Sequence, residues 1–420
     1  MIALDLYDVA VVGALFLLYI WAFYNMPILV TGAKTLRVRV RKKDERLIEI
    51  EKLPLVSIIV PVKNEAQVIR RLLEASLGLN YPPEKTEVVI VDGASVDGTL
   101  GICEEYVGKH PGQLRLLHQS VSNGKPCALN YGLKHAKGEI VGVFDADNIP
   151  EPDVLMRAVG HFQSSSTAAV QGRSRSINAD QKMLTKFVSY EEAIAFETYL
   201  QGRGALNLFV PLTGSCYFIR RSVLQKIGGW DEQSLSEDTE ISVRLALEGH
   251  KIEYAADVVC WQESSASMIQ LINQRTRWFR GCMEVALRYG KLITRPSAKN
   301  VDIELTLAGS YVFPLCLFGL MIVLYGFLVP IKPDPVSQII ADVASLLTVT
   351  LLLTTGTVLV YVTNLQKRTN LRWLPFIYLY WIMETFIATY ALAQIVLKRP
   401  RKWEKTVKTG AIAGEYGLAR

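Results

Sequence analysis

Long apolar blocks alternate with mixed segments along the chain. One nearly continuous apolar run extends from Val9 to Val30, and three more lie near the C-terminus: Leu305 to Val329, Ile339 to Val362, and Trp373 to Leu397. Apolar runs of about 20 residues are long enough for a helix to cross the hydrocarbon core of a bilayer. The pattern therefore predicts a membrane protein with an uneven distribution of spans.

Basic residues around these runs predict the orientation of the chain. Asp5 and Asp8 precede the first run, and a basic segment follows it, from Lys34 to Lys43. Because Lys and Arg concentrate on the cytosolic side, we expect an N-terminus outside a plasma or cytoplasmic membrane and a cytosolic domain after the first span. The alternating segment Arg37 to Arg41 could instead be an exposed strand edge, which leaves the topology unchanged.

The block from Trp373 to Leu397 is predicted to be a re-entrant or interfacial segment. Both its flanks are basic and would face the cytosol, so one full crossing would not fit. We expect an interruption near Pro375 and a polar position at Glu384 within it. The flanking basic residues are Lys367, Arg368 and Arg372 before the block, and Lys398, Arg399, Arg401 and Lys402 after it.

Between the apolar blocks, strand and helix patterns alternate. Val56 to Val60, Glu87 to Val91 and Ile140 to Phe144 are short apolar runs, and a helical pattern extends from Glu65 to Leu77. Buried strands alternating with helices predict an α/β domain with a mostly parallel sheet, which binds ligands at the carboxyl ends of its strands. We divide the chain into 1–52 (first span and linker), 53–291 (α/β domain), 292–397 (membrane region) and 398–420 (cytosolic tail).

Composition narrows the function classes. The chain has 420 residues, and its 46 basic and 40 acidic residues give a net charge of +6, which is too small to indicate nucleic-acid binding. Its six cysteines form no CxxC pair, which argues against a disulfide scaffold and a structural zinc site. Ample apolar and aromatic content excludes a disordered chain.

Acidic residues follow three of the predicted strands. Glu65 comes after the first strand, Asp92 ends the second, and Asp145 and Asp147 follow the third. Solvent-facing loops are often acidic, but convergence at one sheet edge favours a binding site. Two carboxylates on one side of an extended segment suit Mg²⁺ or Mn²⁺ bridging a diphosphate. Lys125, after a glycine, could contact a phosphate.

Two later motifs each have two interpretations. Ser236 to Glu240 opens a helix from Ile241 to Glu248. Ser236 could be the N-cap of that helix with acids in its first turn, or one of the acids could be a general base for a sugar hydroxyl. Gln274, Arg277 and Trp278 share one face of a helix, which could lie at the membrane surface or hold a ligand.

The ordered series of motifs resembles the family 2 glycosyltransferases, in particular the membrane-embedded synthases of cellulose, hyaluronan and poly-N-acetylglucosamine. The resemblance covers Leu53 to the C-terminus. The matching pieces are Val60-Pro61-Val62-Lys63-Asn64-Glu65, Val91-Asp92-Gly93-Ala94-Ser95-Val96-Asp97-Gly98-Thr99, Asp145-Ala146-Asp147, Thr213-Gly214-Ser215, Glu237-Asp238 and Gln274-Arg275-Thr276-Arg277-Trp278.

This resemblance implies a GT-A fold, which is Rossmann-like, and an inverting transfer of sugar from a nucleotide donor, UDP rather than GDP, to a growing polysaccharide. Asp238 would be the general base. Asp145 and Asp147 would hold Mg²⁺ or Mn²⁺ and the diphosphate. The other implied donor-binding residues are Pro61, Glu65, Asp92, Lys125, Gln274, Arg277 and Trp278. The implied acceptor-binding residues are Thr213, Gly214, Ser215, Glu237 and Trp278.

The tail resembles the gating loop of cellulose-type synthases. Trp403 would cover the base, and Thr406 and Lys408 would reach the diphosphate. The alternative is a basic tail attracted to anionic membrane lipid.

Two departures from the family pattern leave alternatives open. Gly93 and Ala94 stand where a second acid is common, so the nucleotide contact would depend more on Asp92. Few spans follow the domain, so a translocating channel would call for a homo-oligomer. The rival functions are a glycolipid synthase that adds one sugar to a lipid, and a membrane scaffold without catalysis.

Overall fold

The computed structural model describes residues 6–39, 52–329, 335–364, 372–401 and 405–410. Several predicted features lie outside these ranges: the basic residues at 41–43, the basic pair at 367–368, Lys402 and Trp403. The described chain divides into two units. The first takes in Met1–Arg37, Glu197–Leu206 and Arg275–Lys402, and the second Val38–Phe196, Asn207–Gln274 and Trp403–Arg420.

The elements follow one another in the order of an α/β protein. The strands are β1 (Val56–Val62), β2 (Thr86–Asp92), β3 (Leu114–His118), β4 (Ile140–Val143), β5 (Ile149–Pro150), β6 (Thr167–Ser176), β7 (Tyr217–Arg220) and β8 (Lys251–Gln262). The helices are α1 (Leu6–Arg39), α2 (Ile69–Leu77), α3 (Thr99–Lys109), α4 (Lys125–His135), α5 (Val154–His161), α6 (Met183–Ala193), α7 (Gln201–Ala205), α8 (Arg221–Lys226), α9 (Glu237–Leu247), α10 (Met268–Tyr289), α11 (Ala298–Leu328), α12 (Pro335–Asn364) and α13 (Leu374–Val396). A π-helical stretch at Ile194–Leu200 and 3-10 turns at Pro83–Lys85 and Leu292–Thr294 complete them.

The second unit is built on an eight-stranded sheet in the order β3-β2-β1-β4-β7-β6-β8-β5. Strands β3, β2, β1 and β4 are parallel neighbours, β6 is parallel to β8, and β7 and β5 run antiparallel to their partners. The predicted α/β fold with a mostly parallel sheet is confirmed. Helix α4 packs on β1 and β2, and α5 packs on β8, so the apolar strand faces are buried as helix-covered parallel strands require.

A glycine and a proline fit the positions that they occupy in the central strands. Gly142 lies in β4 where a Cβ atom would come within 2.8 Å of the Phe218 ring on β7, so this close strand pairing requires a glycine. Strand β4 pairs with β1 only as far as Ile59, so Pro61 lies beyond that ladder and its missing N–H breaks no bond to β4. The pairing of β1 with β4 therefore ends at Ile59 and Val143.

Helix α2 begins later than the sequence pattern indicates. The prediction placed its start at Glu65, whereas the structure places it at Ile69. The carbonyl of Glu65 accepts hydrogen bonds from the N–H groups of Val68 and Ile69, so residues 65–68 form a turn before the helix. Glu65 therefore belongs to the loop after β1.

Among its described residues, the first unit contains four helices that are long and apolar enough to cross a membrane. The candidate spans are Val11–Thr35, Ala298–Ile322, Ala341–Val362 and Pro375–Val396. Within this unit, the buried guanidinium group of Arg203 on α7 forms an ion pair with Asp302 on α11 at 2.5 Å. Segments 197–206 and 275–291, which the sequence division placed with the α/β domain, group with the apolar helices.

The predicted interruption of the last apolar block is wrong. Helix α13 runs without a break from Leu374 to Val396, and Pro375 lies in its first turn. A proline is well tolerated there because the first N–H groups of a helix have no partner within the helix. Whether α13 crosses the membrane or lies at its surface stays a prediction.

Candidate active site

The carboxyl ends of β1, β2 and β4 meet at one edge of the sheet. Strand β1 lies between β2 and β4, so the strand order reverses between β1 and β4. Open α/β sheets bind ligands beyond the strand ends at such a reversal. Glu65, Asp92, Asp145 and Asp147 all lie in the second unit at or just after these strand ends, as their positions in the sequence predicted.

Lys125, the first residue of α4, connects three groups of this edge. Its ammonium nitrogen lies 2.7 Å from Asp145 Oδ1, 2.7 Å from the carbonyl oxygen of Gly214 and 3.5 Å from Glu237 Oε1. Burial would lower the pKa of Lys125, but the carboxylates of Asp145 and Glu237 raise it above its ordinary value. Lys125 is therefore a fixed positive charge beside the predicted diphosphate position.

The predicted acceptor residues Thr213, Gly214 and Ser215 form a turn between Asp145 and Asp238. Ser215 Oγ accepts a hydrogen bond from the N–H of Asp145 at 3.2 Å. Gly214 has a φ of +79°, and a Cβ atom there would lie 3.3 Å from Asp238 Oδ2. A side chain at this position would therefore crowd the carboxylate of Asp238.

Asp238 and Glu237 lie in the first turn of α9. Ser236 occupies the N-cap position, but its side chain makes no capping hydrogen bond to the helix. Asp238 Oδ1 accepts the N–H of Thr239 at 2.8 Å. The capping interpretation is thus weakened for Ser236, while Asp238 is half-buried and faces the turn at Gly214.

Asp147 is buried, and its Oδ2 atom has two donors. Lys408 Nζ lies 2.7 Å from it, and the N–H of Glu263 lies 3.1 Å from it. Burial would raise the pKa of Asp147, but Lys408 and the Glu263 N–H lower it below its ordinary value. Asp147 is therefore held in its ionised form.

Glu65 faces the same C-terminal segment. Lys405 Nζ lies 3.1 Å from Glu65 Oε1 and also donates to the carbonyl of Asn64. Burial raises the pKa of Glu65 to about 7, although Lys405 opposes that shift. Its carboxyl group thus changes charge near neutral pH.

Glu263 holds the C-terminal segment 405–410 in place and was not identified from the sequence. Its side chain, 3% exposed, accepts the N–H and the hydroxyl of Thr409 at 2.7 Å each and the N–H of Gly410 at 3.1 Å. Arg71 completes the set at 3.3 Å. The signal available was an acid directly after the apolar run that became β8. Thr406 is half-buried within the segment.

Asp92 is fully buried at the end of β2. Its Oδ2 atom lies 2.9 Å from His118 Nδ1 on β3 and accepts the N–H of Ser95 at 3.3 Å. Its Oδ1 atom has no partner among the described residues. A buried carboxylate oxygen without a donor suits an N–H or O–H group of a bound ligand. His118 was not identified from the sequence.

Asp145 and Asp147 fit a divalent cation as two of its ligands. Both present hard carboxylate oxygens, and the described residues contain no group of three metal-ligating side chains. Mg²⁺ is commonly bound through one or two carboxylates, with substrate phosphates and water completing the octahedron. The protein would thus supply only part of such a site, and a cation would compete with Lys125 and Lys408 for these oxygens.

Helix α10 carries the predicted Gln274, Arg277 and Trp278 at spacings that place them on one face. The predicted helix is confirmed. Gln274 belongs to the second unit, and Arg277 and Trp278 belong to the first. That these three residues meet the carboxylates stays a prediction, and Trp403 lies outside the described residues.

Comparison with protein families decides the identity. The family model described as "Glycosyltransferase like family 2" matches residues 54–281, which is more than half of the chain. The chain belongs to this family. It is therefore a transferase enzyme, and the four long apolar helices among its described residues indicate a membrane protein.

Curated relatives of this glycosyltransferase include enzymes with different products. It is 31% identical to "Probable glycosyltransferase YdaM" of Bacillus subtilis, over 70% of each chain. It is 34% identical to the beta-monoglucosyldiacylglycerol synthase of a Nostoc species, over 62% of this chain and 57% of the relative. It is 28% identical to the poly-beta-1,6-N-acetyl-D-glucosamine synthase of Staphylococcus epidermidis, over 56% of each chain.

A solved structure shows the same fold. The mannosyltransferase PcManGT of Pyrobaculum calidifontis, in complex with GDP-Man and Mn²⁺, aligns with a TM-score of 0.62 over 94% of this chain and all of that one, at 21% identity. The predicted GT-A fold with flanking apolar helices is confirmed.

Proposed function

We propose that this glycosyltransferase moves a sugar, with inversion, from a UDP-sugar to the end of a growing polysaccharide at the membrane. One observation carries the proposal: Lys125 and Lys408 join the carboxylates of Asp145, Glu237 and Asp147 at the switch point of the sheet. Acids and ammonium groups there can bind a cation, a diphosphate and a sugar hydroxyl in adjacent positions.

Asp238 is the proposed general base. Its carboxylate accepts the proton of an acceptor hydroxyl while that oxygen attacks the anomeric carbon of the donor. The bond from that carbon to the diphosphate breaks, and the nucleoside diphosphate leaves on the opposite face. A positioned base of this kind contributes about 10²–10⁴-fold to the rate. The half-exposed carboxylate beside Gly214 supports this assignment.

The proposed donor site surrounds the strand ends. Asp92 offers its Oδ1 atom to the uracil or ribose, with Glu65 and Pro61 beside it. A divalent cation held by Asp145 and Asp147 would neutralise charge on the leaving diphosphate. Lys125 would remain as a fixed cation there. The remaining proposed donor contacts are Gln274, Arg277, Trp278, Trp403, Thr406 and Lys408.

The acceptor site is proposed at the turn next to Asp238. Thr213, which is exposed, and Gly214 and Ser215 would border the acceptor sugar, with Glu237 and Trp278 beside it. A second candidate acceptor is a lipid, in a single addition. A beta-monoglucosyldiacylglycerol synthase that is 34% identical to this chain is the reason to include that candidate in the test.

Product analysis tests the proposal. Purified protein in lipid would be incubated with radiolabelled UDP-GlcNAc, UDP-glucose and GDP-mannose, with Mg²⁺ or Mn²⁺, and Asp238→Asn would serve as the control. We expect high-molecular-weight product from one UDP-sugar. An organic-soluble adduct carrying one sugar would instead establish the glycolipid synthase. Failure to bind any of these donors would contradict both.

The proposed orientation has the catalytic domain in the cytosol and the N-terminus outside. The basic residues that follow the first apolar helix support it. Single cysteines placed near each end of the chain, labelled in sealed right-side-out vesicles with an impermeant maleimide, would test it. Labelling only at the N-terminal position is expected. Labelling at the C-terminal position alone would reverse the assignment, and labelling at both positions would mean that α13 crosses the membrane.

A further inference from the structure

Glu384 is an acid in the middle of an apolar helix. It lies on α13, within the candidate span Pro375–Val396, and it is 1% exposed. An ionisable group in such a helix is costly unless another group pairs with it, and it commonly marks a functional site. None of the steps proposed above uses it.

The structure identifies its partner within the same unit. Arg275 Nε on α10 lies 3.6 Å from Glu384 Oε1, and both side chains are buried. Tyr380, one turn before Glu384 on α13, has its hydroxyl 3.5 Å from Arg275 Nη2. The guanidinium group of Arg275 therefore contacts two side chains of α13, as the partner of Glu384 in an ion pair and as the donor of a long hydrogen bond to Tyr380.

Arg275 in turn covers an aromatic ring. Its Cζ atom lies 4.4 Å from the ring centroid of Trp278, which is one turn further along α10. A guanidinium group stacks on an indole more favourably than an ammonium group does, because it is planar. Trp278 remains 40% exposed, so its indole is fixed by Arg275 and still accessible to a ligand.

We propose that Glu384 is a positioning residue for the acceptor site, which it influences by holding Arg275 against Trp278. This rests on the proposed function, in which Trp278 contacts the acceptor sugar. A sugar stacked on an indole requires a defined ring orientation, and the α13 carboxylate defines it from within an apolar helix. The acid is thus part of the sugar-binding apparatus of α10.

A buried ion pair could also serve only to pack the helices. Removing one partner leaves an uncompensated charge and commonly destabilises a protein, whereas replacing both with apolar residues is often neutral. The test therefore uses the double variant Arg275→Met/Glu384→Leu together with Glu384→Gln. The matched control is Arg203→Met/Asp302→Leu, which removes another buried pair of the same unit.

The first readout is the ring of Trp278 itself. The chain has seven tryptophans, so protein labelled with 5-fluorotryptophan in nanodiscs gives a tractable fluorine spectrum, and Trp278→Phe assigns the Trp278 resonance. We expect Glu384→Gln and the double variant to shift or broaden that resonance, and the control pair to leave it unchanged. Arg275→Lys, which keeps the charge but loses the planar stack, should also shift it.

The second readout separates acceptor from donor. With UDP-GlcNAc as the probe, or with UDP-glucose if that donor is consumed, we expect the ratio of transfer to hydrolysis to fall about tenfold in the double variant. The Kd for UDP should change much less than this ratio, because Trp278 is only one of several proposed donor contacts.

Three results would overturn the proposal. An unchanged Trp278 resonance in the double variant would exclude the positioning role. An equal shift from the control pair would reduce it to general packing. If Trp278→Phe itself transfers normally, the acceptor role of Trp278 in the proposed function is wrong, and the fluorine spectrum would still report the Glu384–Trp278 coupling separately.

Discussion

The two halves of the carboxylate site are assembled in different ways. In one half, Asp145, Glu237 and Asp238 surround Lys125, and all four residues belong to the α/β sequence before α10. In the other half, Glu65 and Asp147 receive Lys405 and Lys408 from a segment that follows the last apolar helix. One half is complete within the α/β domain, and the other depends on the chain's C-terminal segment.

The difference indicates a division of labour. A lysine anchored in the first turn of a helix is a fixed part of the site. A lysine on a segment without helix or strand can leave its carboxylate when a better ligand arrives, because side-chain contacts such as those to Glu263, and no helix or strand, hold that segment. We therefore expect chemistry to depend on the first half and donor capture to depend on the second.

Asp238→Asn should have the largest effect, and it changes only the half of the site that surrounds Lys125, here called the fixed half. Sugar transfer should fall by about 10²–10⁴-fold, because the amide cannot accept the acceptor proton. The Kd for UDP, measured by calorimetry, should be unchanged. Asp153→Asn, at the N-cap of α5 where Asp153 pairs with Arg157, is the matched control and should transfer normally. A loss of UDP affinity equal to the loss of transfer would refute the assignment.

Lys408→Met changes the other half. Hydrogen bonds to charged groups contribute about 1.5–3 kcal/mol, so the Kd for the UDP-sugar should rise about 10–100-fold if Lys408 moves from Asp147 to the diphosphate. The rate at saturating donor should change much less.

Lys408→Met should also strengthen the binding of the metal, although it weakens the binding of the UDP-sugar. Without Lys408 on Asp147 Oδ2, half-saturation with Mn²⁺ at fixed UDP should occur at a lower concentration. Lys109→Met, at a lysine 63% exposed that pairs with Glu105, is the control. If Lys408→Met behaves like this control, the C-terminal segment plays no part in donor capture.

Glu65 gives a smaller effect, which depends on pH. Its pKa of about 7 means that it is protonated below neutral pH and ionised above it. Since the ionised form accepts hydrogen bonds from a ribose or base, the affinity for UDP should rise several-fold in a step as pH increases through 7. Glu65→Gln should remove this pH-dependent step in UDP affinity and leave only the change caused by titration of the UDP phosphate.

Lys405 offers the check on the cause of that step. Its ammonium group opposes the effect of burial on the pKa of Glu65, so Lys405→Met should move the step to higher pH. Calorimetric titrations of UDP between pH 5.5 and 8.5 would measure both variants. A step that stays in place without Lys405 would show that the segment does not control Glu65.

The sequence predicted the positions of the acids at the strand ends because these positions depend on local pattern. Apolar runs identify the strands, and an acid directly after a buried run must lie at the strand end, which places Asp92, Asp145 and Asp147. The start of α2 was missed because the turn at residues 65–68 fits the same helical spacing. Local pattern therefore defines elements better than their boundaries.

Long-range partners could not be predicted in this way. Lys408 meets the carbonyl of Glu263 across 145 residues of sequence, and no local pattern specifies that pairing. The last apolar block was expected to be a re-entrant or interfacial segment because both its flanks are basic, with Glu384 as a polar position within it. The structure accommodates that acid differently, since Arg275 on another helix pairs with Glu384.

A charge cluster around His161, away from the strand ends, tests how much paired charges contribute to stability when they have no role in the active site. His161 on α5 lies 2.6 Å from Glu253 Oε1 and 3.0 Å from Asp257 Oδ1. Burial would lower the pKa of His161, but the two carboxylates raise it from 6.5 to about 9. Because the folded-state value is the higher one, the stabilisation is complete below pH 6.5 and is lost as pH rises through about 9.

His161→Gln should therefore lower the unfolding midpoint at pH 6 and have little effect at pH 10. We expect a loss of about 1 kcal/mol at pH 6, equivalent to about 2–4 °C for a domain of this size. Thermal unfolding of the protein in detergent at the two pH values would measure it, with His110→Gln at an exposed position as the control. UDP affinity and transfer should be unchanged at pH 7. A loss of transfer in a stably folded His161→Gln variant would mean that a charge pair away from the strand ends also contributes to catalysis. The two halves of the carboxylate site would then not be sufficient to explain which residues the transfer depends on.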